Sequence, residues 1–176
     1  MRSGVVLTRA DIRRLFALLN TELAAVSVEG EIYLVGGAVM SLAFDAREAT
    51  RDVDALLRPA KAVREAAARV AAKAEVPASW LNDAVKGLLG SHPEFDAFLE
   101  LSNLRVFVAR PEYLLAMKCV AMRLGEDVRD VDDVRYLLRY LNISDAATAL
   151  AVVTRYFDEA QIPPKTRLAL EELLPD

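Results

Sequence analysis

The sequence predicts an α+β fold, in which a small mixed sheet flanked by helices is followed by a C-terminal helical bundle. Apolar strand patterns at residues 32–35 and 52–57 alternate with helical patterns in the first half of the chain. Two further strand patterns, residues 97–101 and 104–108, are separated only by the two residues that a tight turn needs. After Pro111 every apolar pattern has helical spacing, so we expect the strands to be confined to the N-terminal part.

The helices are located by the signals at their ends. Thr8 and Asp11 predict the start of the first helix, because threonine caps a helix and an acidic first turn complements the helix dipole. Pro59 begins an alanine-rich helical segment, whereas residues 76–95 predict a short helix or an irregular loop. The C-terminal helical patterns are residues 112–124, 129–141, 144–157 and 164–174, with a break at residues 125–127.

The change from mixed α/β patterns to helical patterns near Pro111 divides the chain into an α/β core of residues 1–110 and a helical region of residues 111–176 packed on it, and the length suits such a division. Of the 176 residues, 54% are hydrophobic, and no apolar run reaches the ~18 residues that cross a bilayer. We therefore expect no membrane association. One cysteine, Cys119, excludes an internal disulfide and fits the reducing cytoplasm, and a single histidine argues against zinc. The net charge of −4 argues against a protein that coats nucleic acid through a basic surface.

Residues 32–57 carry the first candidate site. Gly36 and Gly37 follow the first strand, and Asp52 and Asp54 alternate along the next one. Alternate strand residues share a face, which sets the two carboxylates roughly 6–7 Å apart. Like charges this close repel unless a cation lies between them, and Mg²⁺ suits two carboxylates plus substrate phosphates. Paired glycines that open a helix let backbone amides approach a phosphate.

This ordered set resembles the nucleotidyltransferases of the DNA polymerase β superfamily, whose signature is a strand, a Gly-Gly turn, a short helix and Asp-x-Asp on the next strand. Within that superfamily it is more similar to the AbiEii/MenT-type toxins of toxin–antitoxin and abortive-infection systems. Their pattern is Gly-Gly-x-Ala, then Arg-x-x-Thr-x-Asp-x-Asp. The matching positions here are Gly36, Gly37, Arg47, Thr50, Asp52 and Asp54, with Val39 as a departure unless Ala38 is the aligned residue.

The resemblance implies the minimal nucleotidyltransferase fold and Mg²⁺-dependent transfer of a nucleotidyl group from an NTP to an acceptor, either tRNA or protein. It implies a cognate antitoxin as a further partner. Asp52 and Asp54 would be catalytic metal ligands, and Gly36, Gly37 and Arg47 would bind the nucleotide. The alternative for Arg47 is an ordinary surface ion pair.

A second constellation lies in the helical region. Lys118 interrupts an apolar helix, and Asp130 and Asp133 follow Arg129 in an Arg-Asp-x-x-Asp pattern. By physical chemistry alone, Lys118 would extend its amine to solvent and the acids would stabilise a helix start. The AbiEii/MenT-type proteins have the same order of motifs. That likeness implies a catalytic, nucleotide-binding Lys118 held by a catalytic Asp133 beside the aspartates, with Asp130 as a further candidate.

Other interpretations remain open from the sequence. Many relatives in the superfamily carry a third metal-binding carboxylate on a later strand, and Glu100 is the candidate by position, although an outward-facing charge is the simpler explanation. The enzyme could instead act on a small molecule, as antibiotic-type nucleotidyltransferases do. The chain could also be a non-catalytic binding protein that keeps the fold.

Overall fold

The computed structural model describes residues 4–83, 85, 89–122 and 128–174. Over these residues the protein is α+β, with a mixed sheet and seven α-helices, as the sequence predicts. The elements in chain order are β1 (Leu7–Thr8), α1 (Arg9–Ala25), β2 (Gly30–Val35), α2 (Gly37–Leu42), β3 (Ala49–Thr50), β4 (Val53–Arg58), α3 (Ala60–Ala74), β5 (Leu81–Asn82), β6 (Phe95–Glu100), β7 (Leu104–Ala109), α4 (Pro111–Ala121), α5 (Val128–Tyr140), α6 (Ala146–Tyr156) and α7 (Pro164–Leu173). The predicted break at residues 125–127 lies outside the described residues.

The main sheet has five strands in the order β5-β4-β2-β7-β6. β2 pairs antiparallel with β4 and parallel with β7, and β4 pairs parallel with β5. β6 and β7 are joined by the predicted tight turn, in which the Leu101 amide donates to the Leu104 carbonyl at 2.8 Å. The short strands β1, β3 and β5 are absent from the sequence prediction, because two residues carry no periodicity.

The described chain divides into two compact units. The first unit comprises residues 1–86 and 95–108 and holds the sheet with α1, α2 and α3. One face of this sheet is apolar and buried, because alternate residues such as Ile32, Leu34 and Ala55 are fully enclosed. At about 1.5–3 kcal/mol for each large buried side chain, this face is the main source of stability in the first unit.

Two sets of polar contacts, a capping box and an ion-pair cluster, hold α1 in place within the first unit. Thr8 and Asp11 form a capping box, in which the Asp11 amide donates to Thr8 Oγ1 at 3.1 Å and the Thr8 amide donates to Asp11 Oδ2 at 2.9 Å. Glu22 accepts hydrogen bonds from Lys73 and Arg69 of α3, and these cations hold the pKa of Glu22 below its usual value. α1 is thereby tied to α3.

The second unit comprises residues 87–94 and 109–176 and contains α4–α7. Tyr113 of α4 packs its ring 5.3 Å from that of Tyr156 and donates its hydroxyl to the Leu89 carbonyl at 2.6 Å. Thr166 of α7 donates to the Cys119 carbonyl at 3.2 Å. Within the described residues, no helix is both long and apolar enough to cross a lipid bilayer.

Candidate functional site

The turn between β2 and α2 requires glycine at its first position. Gly36 has φ 74° and ψ −152°, a backbone conformation that is essentially restricted to glycine. Val35, the residue before it, pairs with Asp54 across the β2–β4 ladder. A Cβ atom on Gly36 would lie 3.1 Å from Asp54 Oδ2. The backbone of the turn therefore lies directly against one carboxylate oxygen of the candidate site.

The second glycine contacts the segment that leads into β4. A Cβ atom on Gly37 would lie 2.8 Å from Arg47 Nη1 and 3.1 Å from Thr50 Oγ1. The same Thr50 hydroxyl donates to the Asp52 carbonyl at 3.2 Å, which fixes the backbone just before β4. The resemblance motif thus has a physical basis, because its glycine, arginine, threonine and aspartate are neighbours. Residues 38 and 39 are both fully buried, so either alignment places an apolar residue in the core.

α2 is a weaker part of the site than the sequence suggests. It has only six residues, so few peptide dipoles add up at its N-terminus. Phosphate binding at this turn would depend on the half-buried backbone of Gly36 and Gly37 and on the Arg47 guanidinium, rather than on the dipole of a long helix.

The two aspartates differ in their place relative to β4. Asp54 lies in β4, whereas Asp52 immediately precedes this strand, which corrects the expectation that both are strand residues. Both are half-buried and alternate with the fully buried Val53 and Ala55. Strand alternation points the Asp54 carboxylate away from the side of Val53 and Ala55, and it predicts the same side for Asp52 just outside the strand. Their oxygen donors and charge are those that Mg²⁺ prefers.

The pair does not belong to a larger cluster in the part of the chain that the structure describes. There, no group of three or more His, Cys, Asp or Glu side chains is arranged to hold a metal ion. Two carboxylates leave several coordination positions of a Mg²⁺ ion to other oxygen donors, which substrate phosphates and water supply in many proteins.

Glu100, the candidate third carboxylate, is not brought to the aspartates. It is the last residue of β6, next to the turn into β7, and the first residue of β7 pairs with the first residue of β2. Asp54 pairs instead with Val35, the last residue of β2, so the length of that strand, about 16 Å, separates the two ends. Phe95 contacts Tyr33 on the Asp54 face at 5.2 Å. Five residues later, Glu100 faces the opposite side.

Asn82 is the site residue that the sequence analysis missed. It lies in β5, paired with Asp54 in parallel register, and its Nδ2 donates to Asp54 Oδ1 at 3.1 Å. Trp80 anchors this segment, since its indole is buried and donates to the Ala67 carbonyl of α3 at 3.0 Å. The only sequence signal was the apolar pair Trp80-Leu81 directly before a polar residue.

Lys118 and Asp133 form a buried ion pair in the second unit. Lys118 Nζ donates to Asp133 Oδ2 at 2.7 Å, and the two side chains are 12% and 4% exposed. The contact predicted from the motif order is therefore confirmed, and the amine does not extend to solvent. Asp130 is half-buried in the first turn of α5, and the side chain of Arg129 lies outside the described residues. The catalytic role of this pair, and its expected position beside Asp52 and Asp54, stay predictions.

Comparison of the chain with protein-family models, with curated proteins and with solved structures finds no match. Function therefore has to be inferred from the residues that the fold brings together. The residues grouped in the first unit are Gly36, Gly37, Arg47, Thr50, Asp52, Asp54 and Asn82. We refer to these seven residues as the glycine–aspartate site.

Proposed function

We propose that the protein is a Mg²⁺-dependent nucleotidyltransferase and that its first unit has the minimal nucleotidyltransferase fold. One observation carries the proposal. A turn that favours glycine lies against Asp54 Oδ2, and the half-buried Asp52 lies two residues before Asp54. Two neighbouring carboxylates repel unless a cation lies between them, so this arrangement suits a bound divalent ion.

Mg²⁺ fits the residues that are present. Asp52 and Asp54 would hold the ion through carboxylate oxygens, its preferred donors. The bound ion would neutralise triphosphate charge and lower the pKa of an attacking hydroxyl.

The chain's own residues would bind and orient the nucleotide. The turn at Gly36 and Gly37 would offer backbone N–H groups to a phosphate, and the missing Cβ atoms leave room for Asp54, Arg47 and Thr50 to pack against this turn. The Arg47 guanidinium, half-buried beside Gly37, would supply charge-assisted hydrogen bonds to phosphate oxygens. In the transfer, an acceptor oxygen bonds to the α-phosphorus and the bond to pyrophosphate breaks. The hydroxyl proton passes to a carboxylate or to water.

The substrates follow from the resemblance rather than from geometry. It favours tRNA or a protein as acceptor, and it makes the protein the toxin of a pair with a cognate antitoxin. Lys118 would then stabilise charge developing on the phosphates, with Asp133 fixing its orientation. The net charge of −4 is against a broad basic RNA-binding surface, so the acceptor would be recognised locally.

The proposal is tested by incubating the protein with each α-labelled NTP and Mg²⁺, in the presence of total tRNA and cell extract. We expect label in one macromolecular band, lost in Asp54→Asn and retained in Glu100→Gln. These variants make the same change from acid to amide at opposite ends of the sheet. Label in a small molecule would favour the antibiotic-type enzyme. Transfer that survives in Asp54→Asn would contradict the assignment of the site.

The toxin role has a separate test. Expression of the wild-type chain should slow growth of a bacterial host, and Asp52→Ala should relieve this effect at equal protein level. Equal growth with both forms would contradict a toxin role and leave nucleotidyl transfer to be judged by the labelling experiment.

A further inference from the structure

The two carboxylate oxygens of Asp54 contact different neighbours, and Asn82 is one of them. Its amide nitrogen donates to Oδ1 at 3.1 Å, whereas Oδ2 lies against the glycine turn, 3.1 Å from the position that a Cβ atom on Gly36 would take. A carboxylate held at one oxygen by a donor and enclosed at the other has little freedom to rotate. The orientation of Asp54 is therefore set by β5 and by the turn together.

The segment that carries Asn82 is itself anchored on both sides. Trp80, two residues earlier, is buried and hydrogen-bonded to α3. Asp83, the next residue, forms an ion pair with Arg64 of α3, with Nη1 and Oδ2 3.5 Å apart. These contacts fix the backbone of a strand only two residues long. A short strand that is anchored in this way can place one side chain accurately.

The chemical identity of Asn82 matters as much as its position. Asparagine and aspartate have nearly the same shape, but only the amide donates a hydrogen bond and carries no charge. An aspartate at position 82 would place a third carboxylate within contact of Asp54, and such neighbours repel unless they share a cation. The amide therefore holds Asp54 without adding a third negative charge in direct contact with it.

We propose that Asn82 is a positioning residue of the glycine–aspartate site, and that its neutrality makes the divalent ion bind together with nucleotide phosphates rather than alone. The joint binding of ion and nucleotide rests on the proposed function. Asn82 acts through the Asp54 carboxylate, which it orients toward the glycine turn. Two carboxylates bind a free divalent ion weakly, and the phosphates of a nucleotide supply the missing charge and oxygen ligands.

The experiment measures binding of Mn²⁺, a paramagnetic substitute for Mg²⁺, by electron paramagnetic resonance, with and without a non-hydrolysable NTP analogue. The variants are Asn82→Asp, Asn82→Ala and, as a matched control, Asn20→Asp. Asn20 lies on α1, and its side-chain oxygen accepts from the Asn103 amide at 2.7 Å, a contact that aspartate keeps. The control adds the same charge to the same unit outside the site.

We expect Asn82→Asp to bind free Mn²⁺ at least about tenfold more tightly than wild type, which corresponds to about 1.4 kcal/mol, and Asn20→Asp to match wild type. Without metal, the Tm of Asn82→Asp should lie below that of wild type, and addition of Mn²⁺ should restore it. A residue with a merely structural role would not give this metal-dependent response. Asn82→Ala should bind the Mn²⁺–nucleotide complex about tenfold more weakly than wild type, because Asp54 loses its donor.

If wild type, Asn82→Asp and Asn82→Ala have equal affinities, both for free Mn²⁺ and for the Mn²⁺–nucleotide complex, the positioning role is overturned. Tight binding of free Mn²⁺ by wild type, unchanged by the nucleotide analogue, would overturn the inference that ion and nucleotide bind together. These binding results do not require turnover. A gain of Mn²⁺ affinity in Asn82→Asp, with no labelled product from wild type, would uphold the role of Asn82 and contradict the proposed transfer.

Discussion

Two pairs of charged side chains are built in opposite ways. Asp52 and Asp54 carry like charges and are half-buried, at the start of β4 in the first unit. Lys118 and Asp133 carry opposite charges, are almost fully enclosed in the second unit, and satisfy each other at 2.7 Å. A buried pair of opposite charges can be purely structural, whereas a pair of like charges gains by recruiting a cation. The functional proposal therefore rests on Asp52 and Asp54, whereas mutation has to decide whether Lys118 and Asp133 are structural or catalytic.

The largest expected effect is on the stability of the second unit. Asp133→Ala leaves the Lys118 ammonium buried without its carboxylate, and the loss of one partner of a buried pair costs about 3–5 kcal/mol. Denaturant unfolding measures this loss. Cys119 provides a second readout, because burial raises the pKa of its thiol to about 12 and keeps it from alkylation in the folded state. Unchanged stability and thiol protection would show that the pair contributes little.

The double variant Lys118→Met/Asp133→Leu separates structure from catalysis. It replaces the ion pair with apolar side chains, Met close in volume to Lys and Leu larger than Asp, and such an exchange of a buried pair is often neutral or stabilising. We therefore expect most of the stability lost in Asp133→Ala to return. If Lys118 acts in the reaction, nucleotidyl transfer in the stable double variant should still fall by about 10², the effect of removing one charge-stabilising group. Full transfer activity in the double variant would show that Lys118 and Asp133 have only a structural role.

The glycine turn gives an effect of intermediate size. Gly36→Ala forces a residue with a Cβ into a backbone region that costs about 1–3 kcal/mol, and its methyl group would press on Asp54 Oδ2. Gly37→Ala is the matched control, because Gly37 lacks the positive φ of Gly36 while its methyl group would meet Arg47 Nη1 at 2.8 Å and Thr50 Oγ1 at 3.1 Å. Thermal unfolding should show the greater loss for Gly36→Ala. An equal or greater loss in Gly37→Ala would contradict the special role of the first glycine.

Arg47 should give the smallest effect. Arg47→Lys keeps the charge but loses the planar guanidinium that matches phosphate geometry, so we expect KM for the NTP to rise about tenfold with kcat little changed. Arg105→Lys is the control, since Arg105 is half-exposed and is paired with Glu31 at 3.6 Å. The same rise in KM for both variants would mean that Arg47 acts only through general electrostatics.

The sequence predicts the residues that are close along the chain. Gly36 directly follows β2 and Asp54 lies in its antiparallel neighbour β4, less than 20 residues later, and the sequence order of the motif predicts that they come together. The contact of Lys118 with Asp133 follows from two helical motifs in order, and the resemblance supplied the pairing. Local patterns therefore suffice for the first contact, whereas the second also needed the order of motifs in the resembling proteins.

What the sequence could not predict depends on strand order. Glu100 looked suitable because it lies on a later strand, but β7 intervenes and its register with β2 carries Glu100 to the far end of the sheet. Asn82 looked like a loop residue, because β5 is two residues long and is held by Trp80 and by contacts with α3 rather than by its own pattern. Long-range pairing decides both cases.

The most direct test of the central claim is calorimetric titration of the protein with a non-hydrolysable NTP analogue, with Mg²⁺ and with EDTA in its place. We expect saturable binding that requires Mg²⁺ in wild type and is lost in Asp52→Asn/Asp54→Asn, with no loss of Tm because like-charge repulsion has been relieved. Binding that is equal in the two proteins, or that persists in EDTA, would contradict the claim that the two aspartates and the glycine turn form a metal–nucleotide site.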